Sequence, residues 1–204
     1  MEFRELRVPG AFEIVSTQFA DDRGSFMEWF RADQLESVTG RAFPLAQGNL
    51  SVSKKGVVRG IHFADLPPSQ AKFVSCVAGA VLDFTVDIRS GSPTFGAWES
   101  IQLDSDSRAG VFIPEGVGHA FVALTDDAVV SYVVTAVFNP EREHAINPLD
   151  SDIGLDFPFP PDELLISPKD RDAPSLMQAE SDGLLPTYQD ALDFYAVMKG
   201  NQER

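Results

Sequence analysis

From residue 11 to about 140 the hydrophobic positions fall in short runs, alternating or continuous, broken by Gly, Pro, Asp and Ser. Period-two alternation between turn residues marks half-buried strands, and many in succession predict an antiparallel sandwich or barrel. In AQGNLSVS, Gln47, Asn49, Ser51 and Ser53 share one face, and Leu50 and Val52 the other. In VLDFTVDI, Leu82, Phe84, Val86 and Ile88 lie opposite Asp83, Thr85 and Asp87. Each polar face is either wet surface, the norm in antiparallel sheets, or the wall of a polar lumen. A short helix is predicted over Arg31 to Thr39, stopped by Gly40, which can take the left-handed turn. After Pro158, Pro160 and Pro161 the chain reads as irregular and acidic until Thr187, an N-cap residue. Ala191, Phe194, Tyr195 and Met198 then share one helical face, with Gly200 as the stop, so a terminal helix is expected to dock on the barrel.

The 204 residues suffice for one domain with a sizeable core, read as a single domain over 1–204 with 175–204 as a C-terminal extension. No apolar run nears the roughly 20 residues that span a bilayer. MEFRELRVPGAFEIV has no apolar stretch behind a basic start, so no secretory signal is expected and the location is read as cytoplasmic. A single cysteine, Cys76, forms no internal disulfide and gives no metal-finger spacing; it reads as a small core residue. Sixteen Lys and Arg against thirty-one Asp and Glu give a net charge of −15, which repels phosphate backbones and argues against nucleic acid as a partner. A small anionic ligand remains possible where a few cations converge within ~8 to 10 Å.

Five clusters could carry chemistry. DDRGSFMEWF places Arg23 and Glu28 around Gly24 and Phe26, which by itself reads as a solvated turn. GVVRGIHFADLPPSQAK gathers Arg59, His62 and Lys72. On a regular strand Arg59 and His62 point to opposite faces, so they share a site only through a bulge or strand end near Gly60. IPEGVGHAF holds Pro114, Gly116 and His119 in the spacing P-x-G-x-x-H, a turn that delivers a His onto a strand and resembles the second motif of cupins. The first cupin metal motif needs a second His two residues on and a Glu beyond it; here Phe63 and Ala64 follow His62, and no metal is expected. VVSYVVTAVF reads as a buried strand with Tyr132 and Phe138 on the face of Val130 and Val134. ISPKDRDAP sets Asp170 between Lys169 and Arg171 in what reads as a solvated loop.

Together these segments resemble the dTDP-4-dehydrorhamnose 3,5-epimerase family, cupin-fold enzymes acting on nucleotide-linked 4-keto-6-deoxy sugars. The resemblance covers about residues 3 to 180, with DDRGSFMEWF, QGNLSVS, GVVRGIHF, PPSQAKFV, VDIRSGSPTFG, IPEGVGHAF, the Tyr of SYVVT, NPERE and LISPKD in the family's order. It implies an all-β, cupin-type jelly-roll barrel, free of metal or other cofactor, with the polar lumen as active site and a homodimer as the assembly. By motif position, His62 is the general base, Tyr132 the acid on the other face of the sugar, and Asp170 the partner that orients His62. Lys72 polarises the C4 carbonyl. Arg23, Phe26, Glu28, Gln47 and Asn49 match positions that line the substrate site, as do Arg59, His119, Phe138 and Glu143. The pattern departs at Ala64, where Gln commonly follows the base, at Ala120, where Gly is usual, and at Phe138, where a Tyr meets the ligand. Such changes resemble members that make antibiotic sugars, in which C3 alone or C5 alone is inverted.

The chemistry accounts for these residue types. The protons at C3 and C5 both flank the C4 ketone, so removing either leaves an enolate whose charge rests on the C4 oxygen. An imidazole has the near-neutral pKa a base needs, and acid or base placement typically contributes ~10²- to 10⁴-fold. A preorganised cation at the oxygen adds ~3 to 4 kcal/mol by analogy with oxyanion holes. Two rivals remain: a 3,4-ketoisomerase on the same scaffold, and a non-catalytic cupin that binds a small metabolite.

Overall fold

The structure, a computed structural model, describes residues 1–200; the last four residues of the expected extension 175–204 lie outside them. The chain begins with β1 (Glu2–Glu5) and β2 (Phe12–Val15), then forms a hairpin of β3 (Phe19–Asp21) and β4 (Gly24–Phe26) and a helix α1 (Ala32–Thr39). Eight strands follow: β5 (Gln47–Ser53), β6 (Val57–Ala64), β7 (Lys72–Ala78), β8 (Ala80–Val86), β9 (Trp98–Asp104), β10 (Gly110–Ile113), β11 (Gly118–Ala123) and β12 (Ala128–Val134). The tail adds β13 (Glu143–Ala145), β14 (Leu165–Ile166), α2 (Pro168–Arg171), α3 (Leu176–Ser181) and α4 (Tyr188–Gly200).

Two antiparallel sheets result, in the orders β1-β2-β10-β7-β12-β5 and β13-β6-β11-β8-β9, with β14 added parallel to β6. Their inner faces meet. Val74, Cys76, Val111 and Val130 from the first sheet pack with Val81, Ile101, Leu103 and Phe121 from the second in one buried cluster. The outer face of the second sheet, including Phe63, Phe84 and Val122, is covered by tail residues Ile153, Leu164, Leu176 and Leu185. Leu35 of α1 and Phe43 cover Phe73, Phe112 and Val133 on the other side. Such alternation of inward and outward rows on two facing sheets is the expected jelly-roll pattern.

The alternation in β8 settles which reading of its polar row holds. Val81 belongs to the inter-sheet core, so Asp83 and Thr85, two and four residues on, also point between the sheets, and both are buried. They line the interior rather than the surface. The helix at Ala32–Thr39 is present, and Gly40 closes it at φ 67°. Thr187 caps α4, its hydroxyl accepting the Asp190 N–H at 3.0 Å. Tyr195 docks that helix by donating to the Glu115 carbonyl while the Arg41 guanidinium lies 3.9 Å from its ring centre.

Three expectations need correction. The stretch from Pro158 to Thr187 is not simply irregular, because Ser167 caps α2 with Pro168 at its first position and Ser175 caps α3. Asp170 therefore sits buried in a helical turn, not in a solvated loop. Phe138 does not share a strand with Tyr132, since β12 stops at Val134. There Thr135 turns back onto the β6–β7 connection, its hydroxyl accepting the Ala71 N–H at 2.9 Å.

Candidate active site

The site starts from an irregularity in β6. On β11 His119 and Phe121 are two apart, but their partners on β6, His62 and Arg59, are three apart. The extra residue is a bulge at Gly60–Ile61, and it turns Arg59 and His62 to the same face. Gly60 has φ 113°, and a Cβ there would lie 2.4 Å from the His119 carbonyl oxygen, so only glycine fits. Phe121 points into the inter-sheet core; His119 therefore points inward too, and His62 stands directly opposite it.

Each imidazole has its own carboxylate. His62 Nε2 lies 2.7 Å from Asp170 Oδ1, and His119 Nε2 lies 2.7 Å from Asp83 Oδ2. Burial opposes ionisation of Asp170, but the hydrogen bond and charge of His62, with hydrogen bonds from Ser167 and the Gly60 N–H, hold its carboxyl below the usual carboxylate range. An ionised carboxylate only accepts, so Nε2 carries the proton and Nδ1 keeps the lone pair that a base requires. The His62 side chain is 37% exposed, enough to meet a ligand.

The facing sheet supplies the remaining groups. Lys72 lies in the inward row of Val74 and Cys76 on β7. Burial depresses its pKa, while the charges of Glu143 and Asp83 act the other way. Among the described residues its ammonium makes no hydrogen bond. Tyr132 packs against the inter-sheet core from β12, opposite Asn49 on β5. Burial and the Glu143 charge raise its pKa, against the smaller effect of Arg59, so the phenol is protonated at neutral pH. Arg59 holds Ser53 Oγ at 3.1 Å, and Gln47 donates to Asn49 Oδ1 at 2.6 Å. A cavity of about 320 Å³ is lined by Ala64, Gln70, Ala136, Asn139, Arg142 and Glu143, the carboxylate whose charge acts on Lys72 and Tyr132.

Among the described residues two buried polar atoms, Ser51 Oγ and Asp83 Oδ1, have no partner, and both residues belong to the inward rows. Asp83, which the sequence marks only as one of an alternating row of polar residues, is the partner of His119. Its contact with His119 joins strands 36 positions apart. Arg23, Phe26 and Glu28 are not brought to the lumen within the chain. β3 and β4 form a separate ribbon with every residue exposed, Arg23 pairs with Asp21, and Glu28 pairs with Arg31. Phe138 stands at the rim, its N–H donated to Gln47 Oε1 at 2.9 Å.

Comparison with known proteins gives the family. The dTDP-4-dehydrorhamnose 3,5-epimerase family matches residues 5–178. Over 201 residues, 98% of each chain, the sequence is 47% identical to dTDP-4-dehydrorhamnose 3,5-epimerase of Mycolicibacterium smegmatis. It is 48% identical over 188 residues to dTDP-4-dehydrorhamnose 3-epimerase of Streptomyces niveus, covering 92% of this chain and 90% of that one. The structure of the Mycobacterium tuberculosis rmlC epimerase superposes with a TM-score of 0.94 at 44% identity, over 97% of this chain and all of that one (100%). ChmJ, a 3'-monoepimerase from Streptomyces bikiniensis, solved with dTDP as a histidine-to-asparagine, tyrosine-to-phenylalanine double mutant, gives 0.92 at 42% identity over 97% and 98% of the two chains. With the family matched over most of its length and the fold shared from end to end, the chain belongs to the dTDP-4-dehydrorhamnose 3,5-epimerase family.

Proposed function

We propose that the protein is a cofactor-independent epimerase of dTDP-linked 4-keto-6-deoxyhexoses, with His62 as base, Tyr132 as acid and Lys72 at the ketone. The observation that carries this reading is the placement of His62, bound to Asp170, and Tyr132 on opposite sheets of one polar interior, with Lys72 buried beside Tyr132. His62 Nδ1 takes the proton from the carbon beside the ketone, and the C–H electron pair moves into the enolate, whose oxygen the Lys72 ammonium stabilises. The Tyr132 phenol returns a proton to the other face of that carbon; solvent then resets both groups. A single group acting from one side restores the starting configuration, so inversion requires the pair. In ChmJ the two substituted positions are 70 residues apart, the separation of His62 and Tyr132 here, which supports the same pair.

The two curated relatives named above are a 3,5- and a 3-epimerase, so C3 is common to both and C5 is where they divide. Inversion at C3 is accordingly the core of the proposal. Product analysis by NMR tests it: changed ring configuration with the ketone still at C4 is expected, and a ketone moved to C3 identifies a ketoisomerase instead. Binding without turnover identifies a non-catalytic binder.

The proposed assembly is a homodimer. Phe19 and Phe26 on the free-standing hairpin are 62% and 69% exposed, and Leu50 on the outer face of the edge strand β5 is 64% exposed. Aromatic and aliphatic surface of this kind fits an interface. A hairpin reaching a second copy would also bring Arg23, Phe26 and Glu28 to a substrate site.

A further inference from the structure

We infer that Gln47 and Gln70 act on the nucleotide sugar as positioning residues, by clamping the segment from Ala136 to Phe138 at the rim of the lumen. The inference rests on the nucleotide-sugar reading above. β12 ends at Val134, and the next residues run along the rim with little packing to hold them: Val137 and Phe138 are both more than half exposed. Their backbone is tied instead by side-chain amides from two other parts of the chain. Gln70, on the β6–β7 connection, donates Nε2–H to the Ala136 carbonyl at 3.0 Å. Gln47, on the inward row of β5, accepts the Phe138 N–H on Oε1 at 2.9 Å. The amide nitrogen of Gln47 is engaged as well, donating to Asn49 Oδ1.

The clamp thus grips alternate residues, one by its carbonyl and one by its N–H, in a segment whose Ala136 and Val137 line the 320 Å³ cavity together with Gln70, and it leaves Phe138 55% exposed. An exposed segment held by few bonds opens locally when one is removed, and ordering it again is a cost each ligand must meet. Gln47 also belongs to the inward row whose members match substrate-lining positions, so Gln70 is the arm that isolates the clamp. Gln70 points to the segment, not to the inward rows.

The test is calorimetric binding of dTDP to the wild-type protein, Gln70→Glu, Gln47→Ala, Phe138→Ala and the Gln70→Glu, Phe138→Ala double. Amide hydrogen exchange at Phe138 is measured alongside. Gln70→Glu keeps the size and removes the donor. Each glutamine variant is expected to raise Kd about five- to tenfold, the effect of losing one ordinary hydrogen bond. The Gln70→Glu, Phe138→Ala double should bind no more weakly than Phe138→Ala alone, and Phe138 N–H exchange should accelerate in Gln47→Ala. An unchanged Kd, penalties of Gln70→Glu and Phe138→Ala that multiply, or unaltered exchange overturns the clamp. A wild-type protein that does not take dTDP overturns the ligand reading, while the exchange result still decides whether the amides hold the segment.

Discussion

His62 and His119 face each other across β6 and β11 because β6 spends three residues where β11 spends two, and the extra residue lies at a position only glycine can fill. Replacing Gly60 with Ala drives a methyl group against the His119 carbonyl and demands a positive φ of a residue that avoids it. The expected result is a loss of about 1 to 3 kcal/mol in urea unfolding, with activity falling further than the folded fraction does. Normal activity in Gly60→Ala would show that the bulge does not position the site.

Asp170→Asn presents a neutral amide to Nε2 and removes the charge that stabilises the imidazolium. The rate should fall ~10²- to 10⁴-fold. Stability should change in the same region of pH. Because the folded carboxyl titrates below its unfolded value of 3.8, its contribution is present above that value and is lost as pH falls toward the folded one. Urea unfolding from pH 6 to pH 2 should therefore show an acid arm in the wild type that is shallower in Asp170→Asn.

Lys72 couples activity to stability in opposite senses. Burial of an ammonium disfavours its charged form, so Lys72→Met, similar in size and uncharged, should raise Tm while the rate falls about 10²- to 10³-fold. A variant that loses both would assign Lys72 a structural role.

Tyr132→Phe keeps the ring and removes the proton donor. Proton loss from the sugar should persist while inversion declines, so deuterium enters faster than product forms. The raised pKa of the phenol also means that any alkaline limb from ionisation of Tyr132 lies at higher pH than a free phenol would give. Equal loss of both steps would contradict the division of labour between His62 and Tyr132.

The proposed dimer can be probed by mixing two inactive proteins, His62→Ala and an Arg23→Ala, Glu28→Ala double variant. If the hairpin serves the neighbouring subunit, half of the randomly paired dimers are hybrids with one complete site, and activity should recover to about a quarter of wild type. No recovery would place the hairpin's function within its own chain.

Much of this was legible before any coordinates. The alternation around Asp83 and around Asn49 shows which residues share a row, while the packing of the two sheets decides that those rows face inward, and the pairing of Arg59 with His62 on one site requires the bulge that Gly60 provides. Gly40 and Thr187 mark helix ends that the structure bears out. The short tail elements escaped because helices of four and six residues carry too little periodicity, although Ser167-Pro168 was a start signal in plain view. The partner of His119 escaped for another reason: which strand lies beside β11 is a matter of topology, and no local pattern names Asp83. The end of β12 is hidden because VVTAVF is apolar except for Thr135, and the turn there depends on a hydrogen bond from Ala71.

The central claim is that one imidazole removes the proton beside the ketone. The most direct measurement is a proton NMR time course of dTDP-4-keto-6-deoxyglucose in deuterated buffer with metal-stripped wild-type protein and with His62→Ala. The wild type should lose the C3 proton signal, together with that of C5 if both centres invert, and His62→Ala should leave them intact. Exchange in His62→Ala at the wild-type rate would contradict the account.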